Sequence, residues 1–359
     1  MTDLFADWPS ESLKQVTITR PDSNPADQTV ESLYLDLAGT RSPLRLAGQL
    51  RQLLGFVRKT EPDVIYFRTA GWPLVLELSV LLLSRYPMVT HIMDDWPEAR
   101  RRSGRRFSRA LDLLLRRVMV RSKARLAISE PMARAFAERY GVPFQVVHAG
   151  TDRTPPVPPA VVRASSQGDD KVIFYSGSIA PDQTASSLVV LADAVKLLRH
   201  KGVKAQLQVA PSSEMPVSLR TSLESAEAVI LDQTSPADYL DRLAVADIVV
   251  ATANFDPESI AFLRYSMPNK IPDLLASGTP TLIFAPAELA YVQLAAESGW
   301  ACVVDTNDPQ VLASAIGDLV HNDIAGKELV TAASNACTTT FAWPVLRQRF
   351  EQTLRIAPG

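Results

Sequence analysis

The chain has 359 residues, 47% of them hydrophobic, a globular composition in a length that exceeds one typical domain and points to two. Its net charge of −2 is unevenly spread: residues 1–150 carry 22 Lys/Arg against 16 Asp/Glu, or +6, and the rest carry 15 against 23, or −8, which suggests different partners for the two halves. Two distant cysteines, Cys302 and Cys337, lack metal spacing, argue against a disulfide framework and fit a reducing cytoplasm.

Along the chain, the first 21 residues are largely polar and include Pro9 and Pro21, so no secretory leader is expected. Short strands are expected at 15–18 and 32–35, a helix at 44–59 and a strand at 63–68. The longest apolar run, 72–83, is interrupted by Glu77 and too short to span a bilayer; it reads as a buried helix at 73–84. A strand at 88–93 precedes a basic amphipathic helix at 107–120, a strand at 124–128, a helix at 130–140 and a strand at 144–148. Residues 152–170, with Pro155, Pro156, Pro158 and Pro159, lack apolar periodicity and read as a linker.

The second half alternates cleanly. Strands are expected at 171–176, 205–210, 228–231, 247–251, 281–284 and 301–304. Helices are expected at 185–200, 236–245, 268–276, 287–297 and 309–320. On the first of these helices Leu188, Leu191, Ala192, Val195 and Leu198 share one face. The alternation argues for an α/β protein of two doubly wound, Rossmann-like domains with parallel sheets covered on both faces. Such folds bind ligands outside the carboxyl ends of their strands, so the cleft between the domains is the expected site.

Four segments carry candidate chemistry. His91, Asp94, Asp95, Trp96 and Glu98 cluster after a buried strand. Paired carboxylates there can work as acid and base or hold a sugar hydroxyl. Equally, Asp95 or Glu98 can cap a helix with Pro97 in its first turn, and His91 can be a satisfied core residue. Gly177 and Ser178 follow a strand directly, where a glycine admits a ligand to the backbone or makes a tight turn. Between 99 and 125 there are eleven Lys/Arg and one acid, Asp112. That run is a solvated face or a surface for anionic lipid; with Phe107 as its one aromatic it does not resemble a nucleic-acid reader. Last, residues 266–283 place Lys270 and Asp273 a helical turn apart at the start of a short helix. A helix start with a nearby cation suits a phosphate, and a first-turn carboxylate suits a hydroxyl-rich ligand.

The pattern Pro268-x-Lys270-x-x-Asp273-x-x-Ala276-x-Gly278-x-Pro280 resembles the nucleotide-sugar segment of GT-B glycosyltransferases, in particular the retaining family 4 enzymes. Asp94-x-Trp96-Pro97-Glu98, Ser129-Glu130, Gly150-Thr151-Asp152, Tyr175-Ser176-Gly177 and Phe341-Ala342-Trp343 are similar to other family segments in the same order. The resemblance implies an acceptor domain at 1–151, the linker at 152–170, a nucleotide-sugar domain at 171–340, and a terminal helix at 341–359 that crosses back. It implies glycosyl transfer from a nucleotide-diphosphate sugar to a saccharide or lipid-linked acceptor, with retention, without metal or cofactor. Gly177, Ser178, Arg264, Ser266, Lys270 and Asp273 would bind the donor. Asp94 and His91 would face the reacting sugar, and Trp96 and Glu98 would lie on the acceptor side. A cytoplasmic enzyme of polysaccharide biosynthesis follows, peripheral at the inner face of the membrane if 100–125 meets lipid.

Three departures from the family pattern stand out. The first strand and its glycine-rich loop are expected to be missing. Residues 178–183 lack the Arg and Lys that usually hold the diphosphate, and Tyr265 replaces a glutamate. They keep open a non-catalytic binding or scaffold protein as the rival reading, with a sugar-nucleotide epimerase as a weaker third.

Overall fold

The computed structural model describes residues 2–19, 30–36, 43–69, 85–102, 104, 108–155, 170–232 and 235–356. The chain forms two compact units, Met1–Val147 with Arg347–Gly359, and His148–Leu346.

In the first unit, β1 (Lys14–Thr19) and β2 (Glu31–Asp36) pair parallel as a two-stranded sheet. A second parallel sheet has the order β3 (Ile65–Thr69), β4 (Met88–Ile92), β5 (Ala124–Ala127), β6 (Gln145–Val146). All five residues of β4 are buried, because the central strand is covered on both faces and reads MVTHI without polar alternation at its flanks. Helices Pro43–Thr60, Ser108–Arg121 and Glu130–Tyr140 accompany the strands. The last of these is set by its ends: Ser129 accepts from the Met132 amide at 3.3 Å, Pro131 occupies the first turn, and Gly141 closes it in the left-handed conformation. Residues from Arg347 onward, in the helix Trp343–Ile356, pack in this unit. Phe350 stacks edge-on against Phe5 and Tyr66, with ring centroids 5.1 and 5.0 Å apart.

The second unit is a six-stranded, wholly parallel sheet. From one edge its order is β9 (Val229–Ile230), β8 (Ala205–Pro211), β7 (Lys171–Gly177), β10 (Ile248–Thr252), β11 (Thr281–Phe284), β12 (Cys302–Val304). The chain starts in the middle at β7, runs outward to β9, then returns to β10 and runs outward the other way. The reversal between β7 and β10 makes their carboxyl ends the crevice where doubly wound sheets take ligands. Register across it aligns Val250 with Tyr175, and Tyr175 with Val209. Ile173, Leu207, Val250, Leu282 and Phe284 of the sheet, with Leu188 and Leu191 of helix Ala185–His200 and Leu312 and Ile316 of helix Pro309–His321, form one buried cluster. Each such side chain contributes about 1.5–3 kcal/mol.

The doubly wound α/β expectation holds, and several helices match to the residue, among them Ala185–His200 and Pro236–Val245. The helix expected at 73–84 lies outside the described residues, as does most of the linker. Helices Val217–Ser225, Pro257–Leu263 and Asp323–Thr339 were not expected. The helix expected at 268–276 is shorter, Ile271–Ala276, with Lys270 at its N-cap position and Pro272 in the first turn.

Candidate functional site

The site at the switch point is built on the end of β7. Lys270 reaches it from the N-cap of helix Ile271–Ala276. Its ammonium stands 4.1 Å from the Tyr175 ring centroid and donates to the Ser176 carbonyl at 3.2 Å. Gly177 closes the arrangement: at φ +144 it holds a conformation that side chains avoid, and a Cβ there would stand 3.5 Å from Lys270 Nζ. The Tyr175 hydroxyl in turn donates to the Ser178 carbonyl at 2.9 Å, which fixes the turn after the strand. Lys270 is half-buried, and among the described residues no carboxylate pairs with it. Burial drives its ammonium pKa down to about 7. A cation so placed, with one carbonyl and one ring face as company, is a ready seat for an anion.

Asp273, one turn along the same short helix, has a different environment. Burial raises its carboxyl above the ordinary carboxylate range, and the charge of Arg153 works against that rise. Tyr239 is pushed up by its own burial and then by Asp273. Arg153 Nη1 is buried without a hydrogen-bond partner among the described residues. Sequence reasoning missed Arg153; its one signal was position, directly after Gly150-Thr151-Asp152. That junction is tight. A Cβ on Gly150 would lie 2.8 Å from the Phe341 carbonyl oxygen and 2.7 Å from Leu346 Cδ1. Beside it Thr151 N donates to Phe341 O at 2.8 Å, and Trp343 N to Thr151 O at 3.1 Å.

The remaining donor candidates are more loosely placed. Ser178 is exposed. Arg264 is exposed at the end of helix Pro257–Leu263; its carbonyl accepts from Ala290 N at 2.8 Å. Ser266 N donates to Leu263 O. Of the helix starts near this site, one is short and one has its first amides engaged. Helix Ile271–Ala276 has six residues, with Pro272 lacking an amide hydrogen and the Ile271 amide donating to Pro268 O at 3.0 Å. The first amides of helix Ala185–His200, at Ser186 and Ser187, go to Asn254 Oδ1 at 3.1 and 3.3 Å. Asn254 also donates to Pro181 O at 2.8 Å, so it pins the loop that lacks the usual cations. Its position just after β10 was the sequence signal for it.

In the first unit, the cluster after β4 separates into structural and free parts. His91 is 2% exposed and both ring nitrogens are engaged, Nδ1 with Tyr66 Oη at 2.8 Å and Nε2 with Val147 O at 2.9 Å. With a carbonyl as partner, Nε2 must donate, so Nδ1 accepts from the tyrosine. This is a core histidine, which corrects its placement at the reacting sugar. Asp95 accepts two bonds from Arg139 at 2.8 and 2.7 Å and caps helix Trp96–Arg102 through Glu98 N at 3.2 Å. Glu98 is held by Arg101, at 2.8 and 2.7 Å, and by Arg102 at 2.9 Å. The Arg101 bond, before the smaller contribution of Arg102, takes its carboxyl down to about 2. Trp96 is buried. Neither Glu98 nor Trp96 is thereby open to an acceptor in this arrangement. Asp94 remains: its side chain as a whole is exposed, but loss of solvation around the carboxyl raises its pKa, and the charge of Arg68 opposes the rise.

Parallel sheets, the second doubly wound with Lys270 at its switch point, define a Rossmann-like α/β protein. The model of Glycosyltransferase Family 4 matches residues 14–154, and that of Glycosyl transferases group 1 matches residues 170–322. The chain belongs to the GT-B glycosyltransferases of group 1. No curated protein matches it. Among solved structures, a glycosyltransferase from Rickettsia africae is 14% identical, with a TM-score of 0.68 over 91% of this chain and 85% of that one. Sucrose-phosphate synthase from Thermosynechococcus elongatus is 13% identical, with a TM-score of 0.68 over 98% and 90%. Anabaena HepE in complex with UDP is 18% identical, with a TM-score of 0.68 over 91% and 86%.

Proposed function

We propose that this glycosyltransferase uses a nucleotide-diphosphate sugar and that Lys270 holds the diphosphate. The observation that carries the reading is the Lys270 ammonium, at the carboxyl end of β7 against Gly177, half-buried and with no carboxylate partner among the described residues. A leaving diphosphate needs its developing charge stabilised, and removal of one such donor typically costs a factor of about 10²–10³. With residues 178–183 free of cations, that work falls on Lys270, with Arg264 as its exposed neighbour in sequence. HepE, which shares the fold, has been crystallised with UDP and with UDP-glucose, which supports a donor of that class. Asp273 binds ribose or sugar hydroxyls in this reading. Asp94 is the carboxylate left to handle the acceptor hydroxyl.

The finer parts rest on the family resemblance: retention of configuration, a saccharide or lipid-linked acceptor, no required metal, and a place in polysaccharide biosynthesis at the cytoplasmic face. Among the described residues no helix is long and apolar enough to cross a membrane.

The test is nucleotide release by the purified chain from a panel of UDP-, GDP- and ADP-sugars, with and without a lipid extract as acceptor. Acceptor-dependent release, lost in Lys270→Met, is expected. Conversion of donor with no acceptor present would point to an epimerase, and full activity of Lys270→Met would overturn the site.

A further inference from the structure

The basic run in the first unit has a use that donor chemistry does not absorb. Several of its cations are structural. Arg101 and Arg102 pair with Glu98. Arg125 donates to the carbonyls of Met119 and Ser122 at 2.7 and 2.8 Å and to Pro143 O at 3.0 Å, so it ties down the end of helix Ser108–Arg121.

The helix itself is divided lengthwise. Leu111, Leu115, Val118 and Met119 are buried, and Asp112, its one acid, accepts from the Tyr140 hydroxyl at 2.8 Å. At 100° per residue, Arg109, Leu113, Arg116, Arg117 and Val120 fall within about a quarter-turn on the opposite face. All five are exposed, and Arg121 flanks them. Leu113 is 62% and Val120 55% exposed, large values for apolar side chains seven residues, or about 10 Å, apart on one ridge. Among the described residues none of the four arginines has a carboxylate partner; Asp112, at the edge of their face, is engaged by the Tyr140 hydroxyl.

We infer that this face docks on an anionic lipid surface, with Leu113 and Val120 entering the headgroup–acyl boundary and Arg109, Arg116, Arg117 and Arg121 meeting lipid phosphates. Charge and geometry select that occupant. Two apolar side chains on the ridge of a helix parallel to the surface suit an interface that is apolar below and anionic above. A polynucleotide would offer them nothing to enter, and a protein groove would leave four unpaired arginines to desolvate. Each arginine near such a surface strengthens binding about fivefold. The inference is independent of the donor reading, since it concerns vesicle binding and not turnover.

The experiment is co-flotation of the full chain with phosphatidylcholine vesicles, with and without phosphatidylglycerol, at low and high salt. The chain should float only with the anionic vesicles and detach in high salt. Arg116→Glu with Arg117→Glu should weaken binding at least tenfold. Leu113→Ser with Val120→Ser should also weaken it, while leaving the salt dependence in place. All four positions are exposed, and unchanged thermal unfolding of the variants confirms that they fold. Failure of the wild-type chain to float, or equal flotation of the variants, would overturn the proposal. So would retention on a single-stranded oligonucleotide without vesicle binding, which would make the face a polyanion reader instead.

Discussion

Replacement of Lys270 by methionine should move stability and function in opposite directions. Methionine keeps an unbranched side chain over the Tyr175 ring and removes the charge. The fall of the lysine from 10.5 to about 7, at roughly 1.4 kcal/mol per unit, corresponds to on the order of 5 kcal/mol of disfavoured charge in a dry site. The half-buried position, the Ser176 carbonyl and the ring face recover part of that, so the variant should gain about 1–3 kcal/mol at pH 6. The sign with pH follows from proton counts. The folded-state value lies below the unfolded one, so between about 7 and 10.5 the unfolded chain binds more protons. Wild-type stability should therefore rise with pH across that window, and the advantage of the variant should shrink to near zero. Urea unfolding of both proteins, without ligand, from pH 6 to pH 10 measures this. The same variant should lose a factor of about 10²–10³ in kcat/KM with the donor. A variant less stable than wild type at pH 6, with a difference independent of pH, would refute the idea that an uncompensated cation waits at the end of β7.

Three further outcomes follow. Gly177→Ala places a side chain on φ +144 backbone beside Lys270 Nζ; it should cost about 1–3 kcal/mol in thermal unfolding and weaken donor binding in calorimetry. Burial raises Asp273, so wild-type kcat/KM should fall in acid at a higher pH than an ordinary carboxylate would give. Asp273→Asn should lack that step and sit about tenfold lower throughout; an unchanged acid limb in the variant would assign the step elsewhere. His91→Phe leaves Tyr66 Oη and Val147 O without their partner and should destabilise the first unit by about 2–4 kcal/mol. Its activity per folded molecule should be retained, and a loss beyond tenfold in folded protein would restore a catalytic histidine.

The parallel sheet of the second unit was legible because its strands are continuous apolar runs, such as Ile248–Thr252, separated by helices with one apolar face. Helix Pro257–Leu263 escaped notice because seven residues hold too few turns for periodicity, although Asp256-Pro257 before Ser259 was a capping signal in plain view. Helix Asp323–Thr339 is rich in alanine and threonine and offers a thin apolar stripe of Val330, Ala333 and Cys337. The site was legible in part. Lys270 and Gly177 were both marked by position after or near a strand, and the fold brings them together. That the lysine turns toward β7, away from the end of its own helix, could not be read from spacing. His91 and Glu98 show the opposite error. Their chemistry pointed to a site, but other partners absorbed it into the scaffold: Val147, far along the chain, for His91, and Arg101, one turn along the same helix, for Glu98.

The most direct test of the account is titration calorimetry of the full chain with UDP, GDP and ADP at pH 8, in two buffers of different ionisation enthalpy. With its ammonium near pKa 7, Lys270 is mostly neutral before binding. A diphosphate against it should raise that value and draw in close to one proton. Binding with net uptake that approaches one proton in the wild type, and none in Lys270→Met, is the predicted result. Tight binding of a nucleoside diphosphate that Lys270→Met leaves unchanged would place the diphosphate elsewhere and contradict the account.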